Sequence, residues 1–293
     1  MLKGLKNIYK FIKSMLYLLI WFLKQIKYED LKNYISYTTK IKPIKILGNG
    51  PSLNKVINDS EFFNTRNNVH FCVVNNCALS PLFEQLKPEH YVLADPLFFN
   101  RQSSNEQVES LMKKLLLVDW EINLYIPFKY YKLIKNEMVS NNKIKILPFH
   151  TNKLNNNTRQ KRTKFWLYKN GLSCPRIQNV IIGCIYCMVN SGYKDIQLYG
   201  VEHSWTNSLI VNDNNQVCLK DSHYYDTKEN NLEPWLKCSG EPYRMHEILR
   251  DLAYMFEGYF ELKEYAEYIG DVKIINCTPN SFIDAFEREL IEC

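Results

Sequence analysis

Small polar residues collect at five places where an apolar run gives out. Ile44-Lys45-Ile46-Leu47 passes into Gly48-Asn49-Gly50-Pro51-Ser52, and Val73-Val74 into Asn75-Asn76. Tyr91-Val92-Leu93-Ala94 ends at Asp95, and Leu198-Tyr199-Gly200-Val201 at Glu202-His203-Ser204. Ile274-Ile275-Asn276-Cys277 leads into Thr278-Pro279-Asn280-Ser281. Amides and hydroxyls in such places can read a base and a ribose without a metal. Gly48 and Gly50 allow a tight turn and let another group approach the backbone. Pro51 suits a first helical position, and Ser52 or Asn49 can accept a capping bond. A helix that opens behind such a turn offers N–H groups and a positive dipole end, which suits phosphate. The stretch is neither G-x-G-x-x-G nor a Walker loop, because the third glycine and the Gly-Lys-Ser/Thr are absent. A cap or a plain turn explains any one of these ends. Their recurrence predicts a shared pocket.

Three of the six histidines, His70, His90 and His150, fall in or beside apolar runs and read as structural. His203, His223 and His246 have polar neighbours and are the candidates for general base. His246 opens a long helical pattern, and a helix N-terminus favours the neutral imidazole that a base needs. No G-x-S-x-G elbow and no Ser/His/Asp order is present, so a hydrolase triad has no support. The nine cysteines follow no framework spacing. Cys184 and Cys187 form a C-x-x-C inside an apolar run with no second pair, which predicts buried thiols in a reducing compartment and no zinc.

Apolar, β-rich runs at 44–50, 69–76, 90–96, 122–128, 143–149, 195–201 and 273–279 must position these groups. They alternate with helical patterns at 106–119, 129–141 and 180–193. Strands that are apolar almost throughout are buried on both faces. The alternation therefore predicts an α/β fold with a Rossmann-like, mostly parallel sheet. Residues 150–175, rich in Asn, Lys and Arg, read as an exposed loop. Residues 204–242 read as a polar excursion or lid. Ligands of open α/β sheets bind beyond the carboxyl ends of the strands, which both segments can cover.

The chain has 293 residues with 46% apolar and 23% charged content, enough for one sizeable core. Its formal net charge is +6, and residues 1–40, with eight lysines against Glu29 and Asp30, carry all of it. The rest sums to zero, shows no nucleic-acid motif and has only a short basic patch at Arg159, Lys161, Arg162 and Lys164, which argues against nucleic acid. Within this arm, Ser14–Leu23 is uncharged and bracketed by Lys10, Lys13, Lys24 and Lys27. Ten residues are too few to span a bilayer, which takes roughly 20. The pattern predicts an N-terminal amphipathic helix at a membrane surface, apolar side in the acyl boundary and lysines on anionic headgroups. The competing expectation is a helix packed on its own domain or on a partner. The chain thus divides into a basic arm, 1–40, and one domain, 41–293. A homo-oligomer is compatible with the sequence.

The Gly-Asn-Gly-Pro-Ser-Leu turn resembles the start of the small bacterial sialyltransferases that build lipooligosaccharide, glycosyltransferase family 42. So does the segment 183–202, GCIYCMVNSGYKDIQLYGVE, as do Ser222-His223-Tyr224 and Cys277-Thr278-Pro279-Asn280-Ser281-Phe282. The matches keep their order over about residues 44–285. Further glycosyltransferase-like proteins share GNGPSL, G-V-E/D-H-S-W and T-P-N-S-F-I-D-A-F. The resemblance implies a GT-A variant fold and inverting transfer from a CMP-activated, sialic-acid-like donor. It implies no metal or other cofactor, and a lipid-linked, lipooligosaccharide or capsule acceptor. It places the chain in the cytoplasm, peripheral on the inner face of the membrane. The nucleotide-binding positions of the family match Asn49 and Asn75, while Asp95 stands where the family has Asn. Gly200 and Glu202 match the strand before the lid. Ser204 and Trp205 replace two phosphate-binding tyrosines, a task that is either lost or moved to Tyr224 or Tyr225. The catalytic histidine matches His246 by topology and His223 by local sequence. With Gly48, Gly50, Ser52, Thr278, Asn280 and Ser281, these residues make up the expected site. Two other functions fit the sequence. One is a pyrophosphokinase of the archaeal pterin type, with Asp95 and Glu202 on a metal. The other is a non-catalytic, membrane-docked scaffold.

Overall fold

A computed structural model describes residues 42–58, 60–101, 105–151, 161–219, 233–237 and 240–289, together with positions 9, 12, 15, 16 and 19. Seven strands follow the seven predicted runs: β1 (Ile44–Leu47), β2 (His70–Val74), β3 (His90–Val92), β4 (Ile122–Pro127), β5 (Ile144–Phe149), β6 (Asp195–Tyr199) and β10 (Lys273–Asn276). With the short β11 (Glu287–Arg288) they form one sheet in the order β11-β10-β6-β1-β2-β3-β4-β5. All its pairings are parallel. The chain therefore has a Rossmann-like α/β fold. Strands are added outward from β1 to β5 on one side, and then β6 returns to the other side of β1. Ligands of such sheets lie at this reversal, where the loops above two neighbouring strands diverge.

The strands alternate between two apolar layers. Ile44, Ile46, Cys72 and Val74 face one core, while Leu47, Phe71 and Val73 face the other. The first core is closed by α6 (Lys161–Lys169), α7 (Val180–Asn190) and α8 (Met245–Ile269). The second is closed by α1 (Leu53–Ile57), α3 (Pro81–Leu86), α4 (Glu106–Leu116) and α5 (Tyr131–Glu137), with α2 (Ser60–Asn64) beside them. Helix α7 is buried along nearly its whole length, from Ile181 to Val189, which fits its all-round apolar sequence. Cys184 and Cys187 are core thiols there, and burial pushes both pKa values up, away from reactive thiolate.

One expectation about the loops changes. Residues 161–169 are helical rather than loop, because Phe165, Leu167 and Tyr168 give the basic segment a buried side against α8. The described part of 204–242 includes a small antiparallel sheet, separate from the main one, of β7 (Leu209–Val211), β8 (Val217–Leu219) and β9 (Glu233–Pro234). Among the described residues, no helix is long and apolar enough to cross a membrane.

Candidate active site at the strand ends

A cleft of about 300 Å³ opens at the reversal. That size is at the lower end of the range for small-molecule sites. The turn after β1 supplies Gly48 to Pro51, and the end of β2 supplies Asn75 and Asn76. Asp95, Leu97 and Phe98 come from the end of β3. Gly200 and Glu202 to Trp205 follow β6, and Asn179 and Ile181 stand at the start of α7.

The glycine turn is shaped by its partner strand. Gly48 N donates to Tyr199 O at 2.8 Å and Gly50 N to Gly200 O at 2.9 Å. A Cβ on Gly48 would lie 2.2 Å from Gly200 O, and one on Gly50 only 1.5 Å from Glu202 Oε2. Both glycines are thus required by close approach. Ser52 N donates to Glu202 Oε1 at 2.6 Å. The turn therefore differs from the expected phosphate cradle. Three of its N–H groups are spent on β6 and on Glu202, and a carboxylate already stands where an anion was expected. Helix α1 has only five residues and adds little dipole.

The last predicted segment acts from behind. Thr278 Oγ1 accepts from Val201 N at 3.1 Å and donates to Leu198 O at 3.3 Å. Ser281 Oγ donates to Val201 O at 2.7 Å, and Phe282 N donates to Glu202 O at 2.7 Å. These bonds fix the backbone that carries Glu202. Thr278 and Ser281 are buried, Asn280 is exposed in a left-handed conformation at φ 55°, and none of the three lines the cleft.

Two residues of the site have left-handed backbones, Asn75 at φ 50° and His203 at φ 52°, and Gly200, just after β6, is at φ 64°. Left-handed geometry is uncommon for side chains other than Gly, Asn and Asp, and it clusters where function needs it. The Tyr91 hydroxyl holds the Asn75 turn by donating to Asn75 O while accepting from Ala78 N.

Polar satisfaction fails chiefly in one region. Among the described residues, six buried side-chain atoms have no hydrogen-bond partner: Asn49 Oδ1, Ser52 Oγ, Asn75 Oδ1, Asn76 Oδ1, His150 Nε2 and Glu202 Oε2. Four of these residues line the cleft and Ser52 is bonded to one of them. Leaving such an atom unpaired costs about 1–3 kcal/mol, so a concentration of them marks a place completed by something else.

The electrostatics are lopsided. Asp95 and Glu202 both line the cleft, and no Lys or Arg does among the described residues. Asp95 is exposed, with Oδ1 accepting from Leu97 N at 2.8 Å. The positive end of the longer helix α7 also borders the cleft, where Asn179 caps Ile181 N at 2.8 Å.

Among the predicted bases, His203 lines the cleft but is buried, and burial lowers its pKa to about 3. Its Nε2 is 2.6 Å from the Tyr259 hydroxyl. His246 stands exposed in the first turn of α8, away from the cleft lining. His223 and Tyr224 lie outside the described residues. The structure thus brings together Gly48, Asn49, Gly50, Asn75, Asp95, Gly200, Glu202, His203 and Ser204, with Ser52 alongside. It adds Asn76, Asn179 and Trp205. Asn179 had a readable signal, because Asn before an apolar helical run is a capping pattern.

No family model matches the chain, and no curated protein matches it. The solved structure of the MAf glycosyltransferase from Magnetospirillum magneticum AMB-1 is similar over 88% of this chain, with a TM-score of 0.45 and 12% identity. The match takes in 36% of that protein, so this chain spans about a third of its length.

Proposed function

We propose that the cleft binds a nucleotide-activated sugar and that the chain is an inverting glycosyltransferase. The observation that carries this reading is the convergence of Asn49, Asn75, Asn76 and Glu202, each with a buried unpaired polar atom, on a single cleft at the strand reversal. The motif resemblance to the lipooligosaccharide sialyltransferases supports a CMP-activated, sialic-acid-like donor. Charge supports a donor with one phosphate. Each further negative charge within about 4 Å of a carboxylate costs about 1 kcal/mol in water-like surroundings and about 4 at a protein surface.

Chemistry follows from the lining groups. An acceptor hydroxyl oxygen bonds to the anomeric carbon as the bond from that carbon to the donor phosphate breaks, and the hydroxyl proton passes to a base. A single displacement inverts the carbon. His203 is poorly suited to be that base, since its imidazole stays neutral down to about pH 3 and is engaged by Tyr259. Glu202 holds the glycine turn through Oε1 on Ser52 N, and its other oxygen, Oε2, is buried against Gly50. Asp95, exposed at the cleft, is the titratable group in position to take the proton. General-base removal typically costs 10²–10⁴-fold. Asp95→Asn is expected to lower kcat by that factor without weakening nucleotide binding, with His246→Ala near wild type. A full-rate Asp95→Asn enzyme, with His223→Ala or His246→Ala inactive, would return the role to histidine. The acceptor is a lipid-linked or lipooligosaccharide glycan, and the arm holds the enzyme at the inner leaflet.

The pair of carboxylates in a cleft that no Lys or Arg lines among the described residues favours one other reading, the pyrophosphokinase, in which Asp95 and Glu202 face a cation on a polyphosphate. Calorimetric titration of the full chain with CMP, UMP, GMP and ATP, each with EDTA and with Mg²⁺, separates the two. CMP binding that ignores EDTA is the expected result. Binding of ATP alone, and only with Mg²⁺, selects the second reading. No binding by any of the four overturns both.

A further inference from the structure

A file of aromatic rings runs from the core to the cleft. Phe286 meets Tyr259 edge-on, with centroids 6.0 Å apart. Tyr259 is fully buried and meets the His203 ring at 5.5 Å. His203 in turn stacks on Trp205, with centroids 4.6 Å apart and planes within 25°. Trp205 is half-buried and lines the cleft.

Each member is fixed by something independent of ligand. The left-handed backbone at His203, φ 52°, aims its ring inward from the end of β6. The bond to the Tyr259 hydroxyl sets the ring plane. Burial keeps the imidazole neutral, so it backs the indole as an uncharged ring. Trp205 begins a short 3-10 turn, Trp205–Ser208, that ties it to the strand end. A large aromatic side chain held in this way, with little freedom left to lose, is the usual form of a stacking surface.

We propose that Trp205 is the platform on which the base of the bound nucleotide stacks, with His203 and Tyr259 as its positioning residues. This inference rests on the nucleotide reading above. A base, rather than a sugar, is assigned because the cleft walls are amides. Asn49, Asn75 and Asn76 each bring a buried, unpaired amide oxygen to the lining, and amide edges pair with base edges. Stacking is shared by every base, so the platform gives affinity and the amides give choice.

The test combines calorimetry and fluorescence with CMP on the full chain. Trp205→Ala is expected to weaken CMP about ten- to a hundredfold, the usual scale for losing one base–aromatic stack, with Trp205→Phe retaining most of the affinity. Saturating CMP is expected to change the tryptophan emission of the wild type and leave that of Trp205→Phe unchanged. His203→Ala is expected to weaken CMP in the wild type and not in the Trp205→Ala background, which a merely structural histidine would not do. Wild-type binding of CMP with equal binding by Trp205→Ala overturns the platform and leaves the proposed function standing. If Trp205→Ala does not fold, Trp205→Phe decides, and CMP-induced emission change persisting in that variant overturns the proposal. A wild type that binds no nucleotide overturns both.

Discussion

At the scale of single residues, two histidines carry the pH dependence. Burial lowers His203 to about 3 and His150 to about 4, against an ordinary 6.5. Above pH 6.5 both are neutral whether the chain is folded or not, and they contribute no slope. Below it the unfolded chain takes up protons that the folded chain refuses, so stability falls as pH falls towards the folded values. Each group contributes at most about 1.4 kcal/mol per pH unit. The melting temperature is expected to drop by several degrees between pH 6.5 and 5, a window above most carboxylate titrations. His203→Gln and His150→Gln should each flatten the curve, and unchanged slopes in both variants would refute the assignment. Sequence separated these residues only partly. His150 sits beside an apolar run and reads as structural. His203 reads as a base because its neighbours in the chain are polar, and its burial comes from Tyr259, 56 positions away.

Among the elements, the strand ends were the most legible part. Strands of four to six residues, apolar over most of their length, set β1, β2, β4, β5, β6 and β10, and the parallel arrangement followed from that mostly apolar character. Asn75, Asp95 and Glu202 reach the cleft because they stand one to three residues beyond such runs. The role of the segment after β10 was not legible. Thr278 and Ser281 look like ligand hydroxyls in a linear reading, and only the neighbouring strand shows that their bonds go to Leu198 and Val201. The clamp gives a prediction at this scale. Ser281→Ala leaves Val201 O without its buried donor, a loss of about 1–3 kcal/mol. The expected outcome is a lower melting temperature together with weaker nucleotide binding, since Glu202 shares the loosened backbone. Lower stability with unaltered affinity would mean that the clamp does not hold the site.

For the molecule as a whole, the open question is what the basic arm touches. Tyr9, Ile12, Met15, Leu16 and Leu19 are helical positions, each more than half exposed, at spacings that place Tyr9, Ile12, Leu16 and Leu19 on one side. The adjoining lysines suit anionic headgroups at about 1 kcal/mol each near the surface. The full chain is expected to sediment with vesicles rich in anionic lipid, to release at high salt and to ignore neutral vesicles. Leu16→Glu combined with Leu19→Glu should abolish sedimentation and leave nucleotide affinity intact. Equal sedimentation with neutral and anionic vesicles would contradict the electrostatic part.

The bond from Ser52 N to Glu202 joins residues 150 positions apart. A ribosome adding about 5–20 residues per second needs roughly eight to thirty seconds to make that stretch. For that interval β1 exists without β6, and the glycine turn lacks the strand that shapes it. The first residues of the cleft to be made are thus among the last to become useful. A half-made chain can offer a nucleotide neither the turn nor the wall opposite, so binding begins only when the sheet has closed around β1.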